Sequence, residues 1–343
     1  MILPDTPEPV RGEGHVDVCA LTNADPHVDV HGDARDGSRV ARRTLSVAIC
    51  TWNRSALLRQ TLEALTQLDV PPPLRWELVV VNNNCTDETP RVLHDFHDRL
   101  PLTVVNETRQ GLSHARNAAV QHCSGEYILW TDDDVRVESG WLAAYARAID
   151  AFPQASFFGG PITPRFERAP PPWLTQIWPR VASAYGERAL SDAPLKFDGE
   201  RLTPFGANYA VRRSDQQRHP YDPRLGARGG SLVLGEEICL VRSLLAEGGE
   251  GWWVPDARIE HHVPAGLLTV RYLRRYFAGV GAMMALLDEG CGAPATDRSI
   301  AAWRLAIEQE YDYRKARLRL PPERWINDLI VSSMTWGRLK RRR

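Results

Sequence analysis

The chain has 343 residues, of which 43% are hydrophobic and 25% charged, and its formal net charge at pH 7 is −1. This balance is typical of a soluble globular protein that is long enough for one large domain or two ordinary ones. The near-zero charge gives no general case for a nucleic-acid partner, so none is predicted. The six cysteines form no CxxC pair, which argues against a zinc knuckle and favours reduced thiols.

The first 43 residues are polar and acidic and show no apolar period, so residues 1–43 are predicted to be a disordered tail. This segment lacks the basic start and the apolar stretch of a signal peptide. The sequence contains no run of 18 apolar residues, so no membrane span is expected. Together these features predict a cytoplasmic protein.

From Leu45 onward, short apolar runs alternate with segments of helical periodicity. Ser55 is a candidate N-cap for the first helix, and Thr86 or Asp87 lies near the start of the second. The predicted strands are 45–52, 77–84, 102–107 and 126–134, and the predicted helices between them are 55–68, 85–100 and 113–123.

This alternation predicts parallel β-α-β units in an open sheet with helices on both faces. Ligands bind to such sheets beyond the carboxyl ends of the strands. Three polar clusters follow predicted strands, namely Thr51–Arg54, Asn82–Asn84 and Asp132–Asp134. We therefore expect all three clusters at one edge of the sheet.

The pattern is looser after Asp150. Strands are predicted over 155–162 and 204–214, a helix over 235–248, and a strand from Gly251 followed by the pair His261 and His262. Residues 267–320 are mostly amphipathic helix by their spacing.

The three adjacent aspartates, Asp132, Asp133 and Asp134, need a physical reason, because like charges repel and Asp is unfavourable in strands. Carboxylates at a strand end suit a hard divalent cation such as Mg²⁺ or Mn²⁺, which also holds the phosphates of a ligand. The alternative interpretation is a solvated acidic turn.

Five segments, taken in order and spacing, resemble family 2 glycosyltransferases of the GT-A fold. They are SVAICTWNR (46–54), ELVVVNNNCTDET (77–89), RQGLSHARNAA (109–119), GEYILWTDDDV (125–135) and GEEICLVRSLL (235–245). The resemblance covers about residues 45–285. It implies an open, mostly parallel twisted α/β sheet flanked by helices, with a helical C-terminal extension.

The implied boundaries are a GT-A domain over 44–265 and a helical region with a basic tail over 266–343. Within the domain, 44–140 is expected to bind the nucleotide and 141–265 the acceptor. The implied activity is that of a metal-dependent hexosyltransferase with a DXD motif. It moves a sugar from a nucleoside diphosphate sugar, with UDP favoured, to a hydroxyl acceptor with inversion, in polysaccharide, glycolipid or glycoconjugate biosynthesis.

The resemblance also assigns roles to single residues. Asp134 and His261 are assigned to an Mg²⁺ or Mn²⁺ ion, Asp132 to the ribose, and Glu237 to the general base, with Glu236 as the alternative. The residues assigned to the nucleotide and donor are Thr51, Asn53, Arg54, Asn82, Asn84, Asp87, Gly111, Arg116, Asn117, Asp132 and Asp133. Gly160, Asn208 and Trp253 are assigned to the acceptor or the sugar.

Two positions depart from the family pattern. Asn82 stands where the family usually has Asp, so the identity of the base is less defined, although an amide still offers an acceptor and donors to a pyrimidine. Glu237 stands where the family usually has Asp, which lengthens the reach of the base by one methylene. For Asp87, capping of the following helix and contact with the ligand are equally favoured.

The C-terminal segment 314–343 carries ten Lys or Arg residues against two acidic ones, a net charge of +8. Trp325, Trp336 and Leu339 are interleaved with these charges. Two interpretations remain open, a solvated basic tail and a helix that contacts anionic lipid from the inner face of the cell membrane. The second interpretation suits an enzyme with a lipid-linked rather than a soluble saccharide acceptor.

Two other functions compete with sugar transfer. A nucleotidyltransferase also uses an α/β sheet with metal-binding carboxylates, but the segment CTWNRSALLRQ lacks the expected Gly-rich phosphate loop. A non-catalytic GT-A-like module that binds nucleotide or sugar would be compatible with Asn82 and the Glu-Glu pair. Asp132, Asp134, Glu237 and His261 argue against this module.

Overall fold

The computed structural model describes residues 43–198, 203–228, 231–290 and 299–340. The predicted N-terminal tail therefore lies outside the described residues, apart from Arg43. The predicted domain boundaries remain predictions.

Strands and helices alternate through the first 150 residues and then become irregular. The strands are β1 (Thr44–Thr51), β2 (Arg75–Asn82), β3 (Leu102–Asn106), β4 (Tyr127–Asp132), β5 (Val135–Val137), β6 (Ala155–Gly159), β7 (Ile162–Phe166), β8 (Leu195–Lys196), β9 (Asn208–Arg212), β10 (Gly226–Arg228), β11 (Ser231–Val233), β12 (Glu250–Trp253) and β13 (Ile259–Val263). The helices are α1 (Ser55–Leu65), α2 (Thr89–Phe96), α3 (Leu112–His122), α4 (Trp141–Ala151), α5 (Pro172–Gln176), α6 (Trp178–Val181), α7 (Arg213–Arg218), α8 (Glu236–Ala246), α9 (Val270–Gly290), α10 (Ile300–Arg319) and α11 (Pro322–Lys340).

The main sheet has the order β3-β2-β1-β4-β9-β6-β12-β8. Strands β1 to β4 run parallel, as predicted from their continuous apolar sequences, and β9 is antiparallel to β4 and to β6. The register pairs Thr51 with Asn82 and Cys50 with Asp132, so the polar residues that follow the three strands lie at one edge. The predicted convergence of these clusters is confirmed.

The predicted N-cap of α1 is wrong. Arg54 occupies the cap position and gives no side-chain cap, whereas Ser55 is the first helical residue. The Ser55 backbone N–H donates instead to the Asp87 carboxylate at 2.9 Å. The cap therefore comes from a residue 32 positions away, which local sequence patterns do not reveal.

The segment after Gly251 forms two strands rather than one. β12 joins the main sheet, while β13 lies between β5 and β7 in a second, three-stranded sheet. His261 and His262 are inside β13, not in a loop after a strand. Antiparallel pairing of His261 with Val135 brings the histidine next to the end of the aspartate cluster.

The C-terminal region packs as three helices, and the segment predicted to be a basic tail is the helix α11 as far as Lys340. α11 crosses α9 closely, since a Cβ at Gly337 would lie 1.9 Å from the Ala278 carbonyl oxygen. Trp325 and Leu339 are buried, and Trp336 packs edge-on against Trp303. Trp325 and Leu339 are therefore packed within the helical region, and lipid contact through the basic C-terminus remains a prediction.

Within the described ranges, no helix has both the length and the apolar character that crossing a membrane requires.

Candidate active site

Asp132, Asp134 and His261 converge at the carboxyl edge of the main sheet. One ligand atom from each lies within 4.8 Å of the other two. His261 Nε2 is 3.5 Å from Asp134 Oδ1, and the His262 backbone N–H donates to the Asp134 carbonyl at 2.9 Å. Pairing between strands thus holds the histidine against the carboxylate.

The same three side chains suit a divalent cation. Asp134 Oδ1 is buried without a hydrogen-bond partner among the described residues, and such an orphaned atom marks a place where an ion or water is expected. Two carboxylates and an imidazole form a mixed oxygen and nitrogen donor set, which is compatible with Mn²⁺ and, through its oxygens, with Mg²⁺. Gly186 lies against the imidazole ring, where an added Cβ would be 3.2 Å from Nδ1, and its φ of +80° favours glycine at this position.

Asp133 points away from these three residues. Thr51 Oγ1 donates to it at 2.7 Å, and Arg54 Nη1 lies 3.1 Å from Asp133 and 2.6 Å from Asp134. Burial and the charge of Asp134 raise the pKa of Asp133, while Arg54 and Thr51 oppose that rise. The middle aspartate is thus held by Thr51 and Arg54, whereas its two neighbours converge with His261.

The loop residues near this edge mostly bind one another. Asn53, with φ +53°, accepts the Thr86 backbone N–H at 2.7 Å, and Asn84, with φ +61°, donates to the Thr108 carbonyl at 2.7 Å. Asn82 Oδ1 accepts the Cys85 backbone N–H at 2.9 Å. Asn tolerates positive φ better than most residues, which explains its use here. These contacts shape the loops at the predicted nucleotide edge.

Asn83 is a residue that the sequence-based assignments missed. It is buried, donates to the carbonyls of Glu107 and Arg109 at 2.8 Å each, and accepts the Gly111 backbone N–H at 2.9 Å. Gly111 has φ +137°, a conformation that favours glycine. The run of three asparagines was the available signal for Asn83, because a strand end with several amides is suited to holding a loop.

For Asp87, the structure shows the capping role. Its carboxylate accepts the Ser55 N–H at 2.9 Å, the Thr89 N–H at 3.1 Å and the Thr89 hydroxyl at 2.6 Å. Desolvation acts to raise the pKa of Asp87, but these hydrogen bonds outweigh it and lower the pKa to about 2. Asp87 therefore joins the starts of α1 and α2, and a ligand contact remains a prediction.

Arg116 connects the two sides of the site. Its Nη1 forms an ion pair with Glu236 Oε1 at 2.9 Å, and its Nη2 lies 3.9 Å from Asp132 and donates to the Gly206 carbonyl at 3.3 Å. The guanidinium is buried. A buried charge needs such partners because an unpaired ion in the interior is very unfavourable.

Three aromatic rings enclose Arg116 and were not predicted as site residues. The guanidinium carbon lies 5.5 Å from the rings of Trp130 and Tyr221 and 5.8 Å from that of Tyr209, within the range of cation–π attraction. The hydroxyls of Tyr209 and Tyr221 are hydrogen-bonded to each other. No pattern in the sequence links residues so far apart, so only the fold brings them together.

Glu236 and Glu237 begin α8, and they differ in environment. Glu236 is buried and ion-paired with Arg116, while Glu237 is half-buried and lies beside Gly206. A Cβ at Gly206 would come within 3.5 Å of the Glu237 carboxylate, so the glycine leaves this side open. Burial and the neighbouring Glu236 raise the pKa of Glu237 to about 8. A carboxylate with such a pKa is a stronger base than an ordinary glutamate, and it accepts a proton only in the ionised form that accumulates as the pH rises toward 8 and above.

Two of the residues assigned to the acceptor side are buried in packing, and those assignments are wrong. Asn208 is fully buried and accepts from Trp141 Nε1 and the Tyr145 hydroxyl, both at 2.9 Å. Trp253 is buried and its Nε1 donates to the Ser191 carbonyl at 2.7 Å, so neither ring face is open to a sugar.

Gly160 and Asn117 also have structural partners. A Cβ at Gly160 would lie 2.3 Å from the Ala257 carbonyl, so this glycine permits close backbone packing. Asn117 donates to the Tyr221 carbonyl and accepts the Tyr221 N–H, both at 2.8 Å. Asn117 thus positions Tyr221 near Arg116, and its assigned contact with the donor remains a prediction.

The mostly parallel sheet with carboxylates and a histidine at its carboxyl edge defines an α/β protein of the GT-A type. The sequence model described as Glycosyl transferase family 2 matches residues 46–206. Residues 46–206 of the chain are therefore similar to glycosyl transferase family 2, in agreement with the resemblance drawn from the sequence.

Three comparisons illustrate this similarity. The chain is 22% identical over 241 residues to the succinoglycan biosynthesis protein ExoM of Rhizobium meliloti, covering 68% of this chain and 72% of that one. It is 31% identical over 107 residues to the poly(ribitol-phosphate) beta-N-acetylglucosaminyltransferase TarS of Staphylococcus aureus, covering 31% of this chain and 18% of that one. The crystal structure of S. aureus TarS 1-349 in complex with UDP-GlcNAc superposes with a TM-score of 0.52 at 17% identity, covering 85% and 81% of the two chains, and shows the shared fold.

Proposed function

We propose that the protein transfers a sugar from a nucleoside diphosphate sugar, with UDP favoured, to a hydroxyl acceptor with inversion at the anomeric carbon. The observation that carries this proposal is the convergence of Asp132, Asp134 and His261 at the carboxyl edge of the sheet, where this fold class binds ligands. UDP is favoured because a TarS structure of the same fold holds UDP-GlcNAc.

In this proposal Asp134 and His261 hold Mg²⁺ or Mn²⁺, and Asp132 contacts the ribose. A bound cation supplies positive charge that stabilises the departing nucleoside diphosphate. Arg54 contributes positive charge at the same place, because its guanidinium already lies 2.6 Å from Asp134 and is partly exposed to the ligand side.

Glu237 is the proposed general base, and its neighbour Glu236 is the positioning residue. Glu236 is held by Arg116 at 2.9 Å, so its carboxylate is not available to the acceptor. Glu237 borders the open side next to Gly206 and has a pKa of about 8. Proton removal from the acceptor hydroxyl by this carboxylate would activate the attack on the anomeric carbon.

The acceptor class is proposed from the relatives. ExoM is named for succinoglycan biosynthesis and TarS for transfer to poly(ribitol phosphate). A saccharide, polymer or lipid-linked saccharide acceptor is therefore proposed, in polysaccharide or glycoconjugate biosynthesis.

The test is a thermal-shift screen of the full chain against UDP, GDP, dTDP and CDP sugars, each with and without Mn²⁺. A ligand that binds the folded state raises the melting temperature by mass action, with a gain of about 2.7 kcal/mol at one hundred times the dissociation constant. We expect a Mn²⁺-dependent rise for one nucleotide class, with UDP as the expected one.

Asp134→Ala should abolish this rise. Asp256→Ala is the matched control, because Asp256 is an exposed carboxylate outside the site. Release of the nucleoside diphosphate, measured with the wild-type chain and a saccharide acceptor, then distinguishes transfer from binding alone. The absence of any nucleotide-dependent shift in a folded sample would refute the donor site, and binding without turnover would favour the non-catalytic module.

A further inference from the structure

Helix α10 exposes an unusual number of large hydrophobic side chains. The six that are exposed on it are Ile300, Trp303, Leu305, Ile307, Tyr311 and Leu318. By contrast, only Ala306 and Tyr313 on this helix are buried. Most of the apolar surface of α10 therefore faces away from the protein, which marks an interaction surface rather than ordinary surface composition.

Four of the exposed residues lie along one stripe, and Leu305 lies outside it. Ile300, Ile307, Tyr311 and Leu318 follow one another at intervals of seven, four and seven, which places them on one helical face, and Trp303 lies beside them. The stripe extends over about 27 Å at 1.5 Å per residue. The residues at its two ends, Ile300 and Leu318, are 83% and 86% exposed. We call this surface the α10 stripe.

An arginine-lined cavity of about 480 Å³ borders the stripe where α9 and α10 meet. Its lining residues are Val270, Arg271, Arg274, Arg275, Ala278 and Arg317. None of these is acidic. Arg317 and Leu318 are adjacent on α10, so the cavity and the stripe lie on neighbouring faces at this end of the helix.

The charges around the stripe are mostly positive. Arg274 and Arg314 share the Glu310 carboxylate, with Arg274 Nη2 and Arg314 Nε each 2.7 Å from it. The last two turns of α10 carry four basic residues, and the exposed acidic residues of this helix, Glu308 and Asp312, precede them. The four are Arg314, Lys315, Arg317 and Arg319.

We propose that the α10 stripe and the adjoining arginine cavity dock the protein on an anionic phospholipid bilayer. A bilayer surface presents phosphates above acyl chains, which matches guanidinium groups beside an apolar stripe. Arginine suits this role because its planar fork binds phosphate oxygens in pairs. The surface differs from the Trp325 and Leu339 region considered from the sequence, because those side chains are buried.

Charge favours a bilayer over a second copy of the chain. In a parallel pair of α10 helices the four basic residues of each copy would face those of the other, and like charges at short range repel. An anionic surface neutralises the same charges. An antiparallel pair would avoid this repulsion, and the experiment below separates that arrangement from lipid binding.

The docking face is close to the active site. On α9, the Tyr272 hydroxyl donates to the Ala184 carbonyl in the turn that ends at Gly186, which packs against His261. Arg271 and Arg275 flank Tyr272 on the same helix. Helix α9 therefore connects the docking face with the turn that packs against His261, and the docking proposal does not depend on the proposed function.

The test is flotation of the full chain with phosphatidylcholine vesicles that contain about 30 mol% phosphatidylglycerol, an anionic lipid, and with pure phosphatidylcholine vesicles. We expect binding to the anionic vesicles that weakens as salt is raised, because salt screens exposed charges. Ile307→Asp combined with Leu318→Asp should weaken this binding at least about tenfold. Both substitutions replace an apolar side chain by a carboxylate, which has the same charge sign as the lipid.

Val104→Asp is the matched control, because Val104 is an exposed apolar residue on β3 outside the stripe. Arg271→Glu combined with Lys315→Glu should also weaken binding, whereas Arg258→Glu, an exposed arginine elsewhere, should not. Circular dichroism melts check that all variants fold.

Failure of the wild-type chain to bind anionic vesicles would overturn the proposal, as would binding that survives both pairs of substitutions. Sedimentation velocity addresses the second copy. A dimer that the Ile307 and Leu318 substitutions abolish, without flotation of the wild-type chain, would assign the stripe to self-association and overturn the lipid proposal. Neither outcome bears on nucleotide binding, so failure here is distinguishable from failure of the proposed function.

Discussion

Two groups of adjacent carboxylates border the site, the aspartate cluster and the glutamate pair. In both groups an arginine forms ion pairs with the carboxylates, but the two arginines differ in burial. In the aspartate cluster, Asp133 is held by Thr51 and by Arg54, whose side chain is 52% exposed. In the glutamate pair, Glu236 is held by Arg116, whose side chain is 4% exposed. Arg54 contacts both Asp133 and Asp134, whereas Arg116 pairs with Glu236 and Glu237 is not part of that ion pair.

The difference in burial predicts that substitutions are tolerated better in the aspartate cluster than in the glutamate pair. Arg54 can exchange its contacts with water and ligand, so the aspartate side can adapt when a cation and phosphates bind. The contacts of Arg116 are not exchanged with water in this way, because aromatic rings and Glu236 enclose its guanidinium. The glutamate side should therefore be rigid, and its variants should show larger effects on stability.

The largest expected effect follows from removing the proposed base. Glu237→Gln should lower kcat by about 10²- to 10⁴-fold, the usual contribution of a general base, while the nucleotide-dependent thermal shift is kept. Single-turnover kinetics and thermal shift on the same sample measure the two properties.

Glu236→Gln is the matched comparison for that variant. Because Glu236 is engaged by Arg116, its loss should reduce stability more than it reduces the chemical step. A larger loss of kcat in Glu236→Gln than in Glu237→Gln would reverse the assignment of the two residues.

The next effect compares the two arginines. Arg116→Met should lower the free energy of unfolding by about 3–5 kcal/mol, because it leaves Glu236 buried without a counter-charge. Arg54→Met should cost only about 1 kcal/mol, since Arg54 is half exposed and the solvent weakens its ion pairs. Urea unfolding at one temperature measures both.

The double variant Arg116→Met with Glu236→Gln provides the control. It should recover part of the stability lost in Arg116→Met, because the buried charge is removed. If Arg54→Met and Arg116→Met lowered the free energy of unfolding equally, burial would not distinguish the two carboxylate groups.

The smallest expected effect concerns pH. The pKa of Glu237 is raised to about 8, so the carboxylate is mostly protonated and inactive as a base at neutral pH and becomes active as pH rises. With that pKa, the deprotonated fraction increases roughly tenfold between pH 7 and pH 9, and kcat should follow it.

The Glu236→Gln variant sharpens this prediction. Glu236 contributes to the raised pKa of Glu237, so neutralising it should move the midpoint of the pH profile to lower pH. If the kcat of the wild-type protein did not change between pH 6 and pH 9, the assignment of Glu237 as a general base with a raised pKa would be wrong.

The parallel half of the fold was predictable because its signals are local. Continuous apolar strands, helical periods and the polar clusters after Thr51, Asn82 and Asp132 follow from neighbouring residues, and the register of β1 with β2 and β4 then aligns those clusters. Asp134 and His261 were assigned from the family resemblance, and the fold brings them within ligand distance of Asp132.

The segment 141–265 was harder to predict because its contacts are nonlocal. Asn208 and Trp253 have residue types that suit sugar binding, yet both are buried in packing. A polar or aromatic residue in a sequence does not reveal whether its partners are ligand or protein. Asn117 shows the same ambiguity, because its amide binds the backbone of Tyr221, 104 positions away.

The sequence by itself determined the α/β class, the order of the first strands and the strand ends where chemistry concentrates, because periodicity and turn residues act over a few positions. Only the tertiary structure decided which carboxylate is paired and which is free for chemistry. It enclosed Arg116 between Trp130, Tyr209 and Tyr221, and it placed the apolar face of α10 on the outside. These outcomes depend on burial and on contacts between distant segments, which form only when the whole chain has packed.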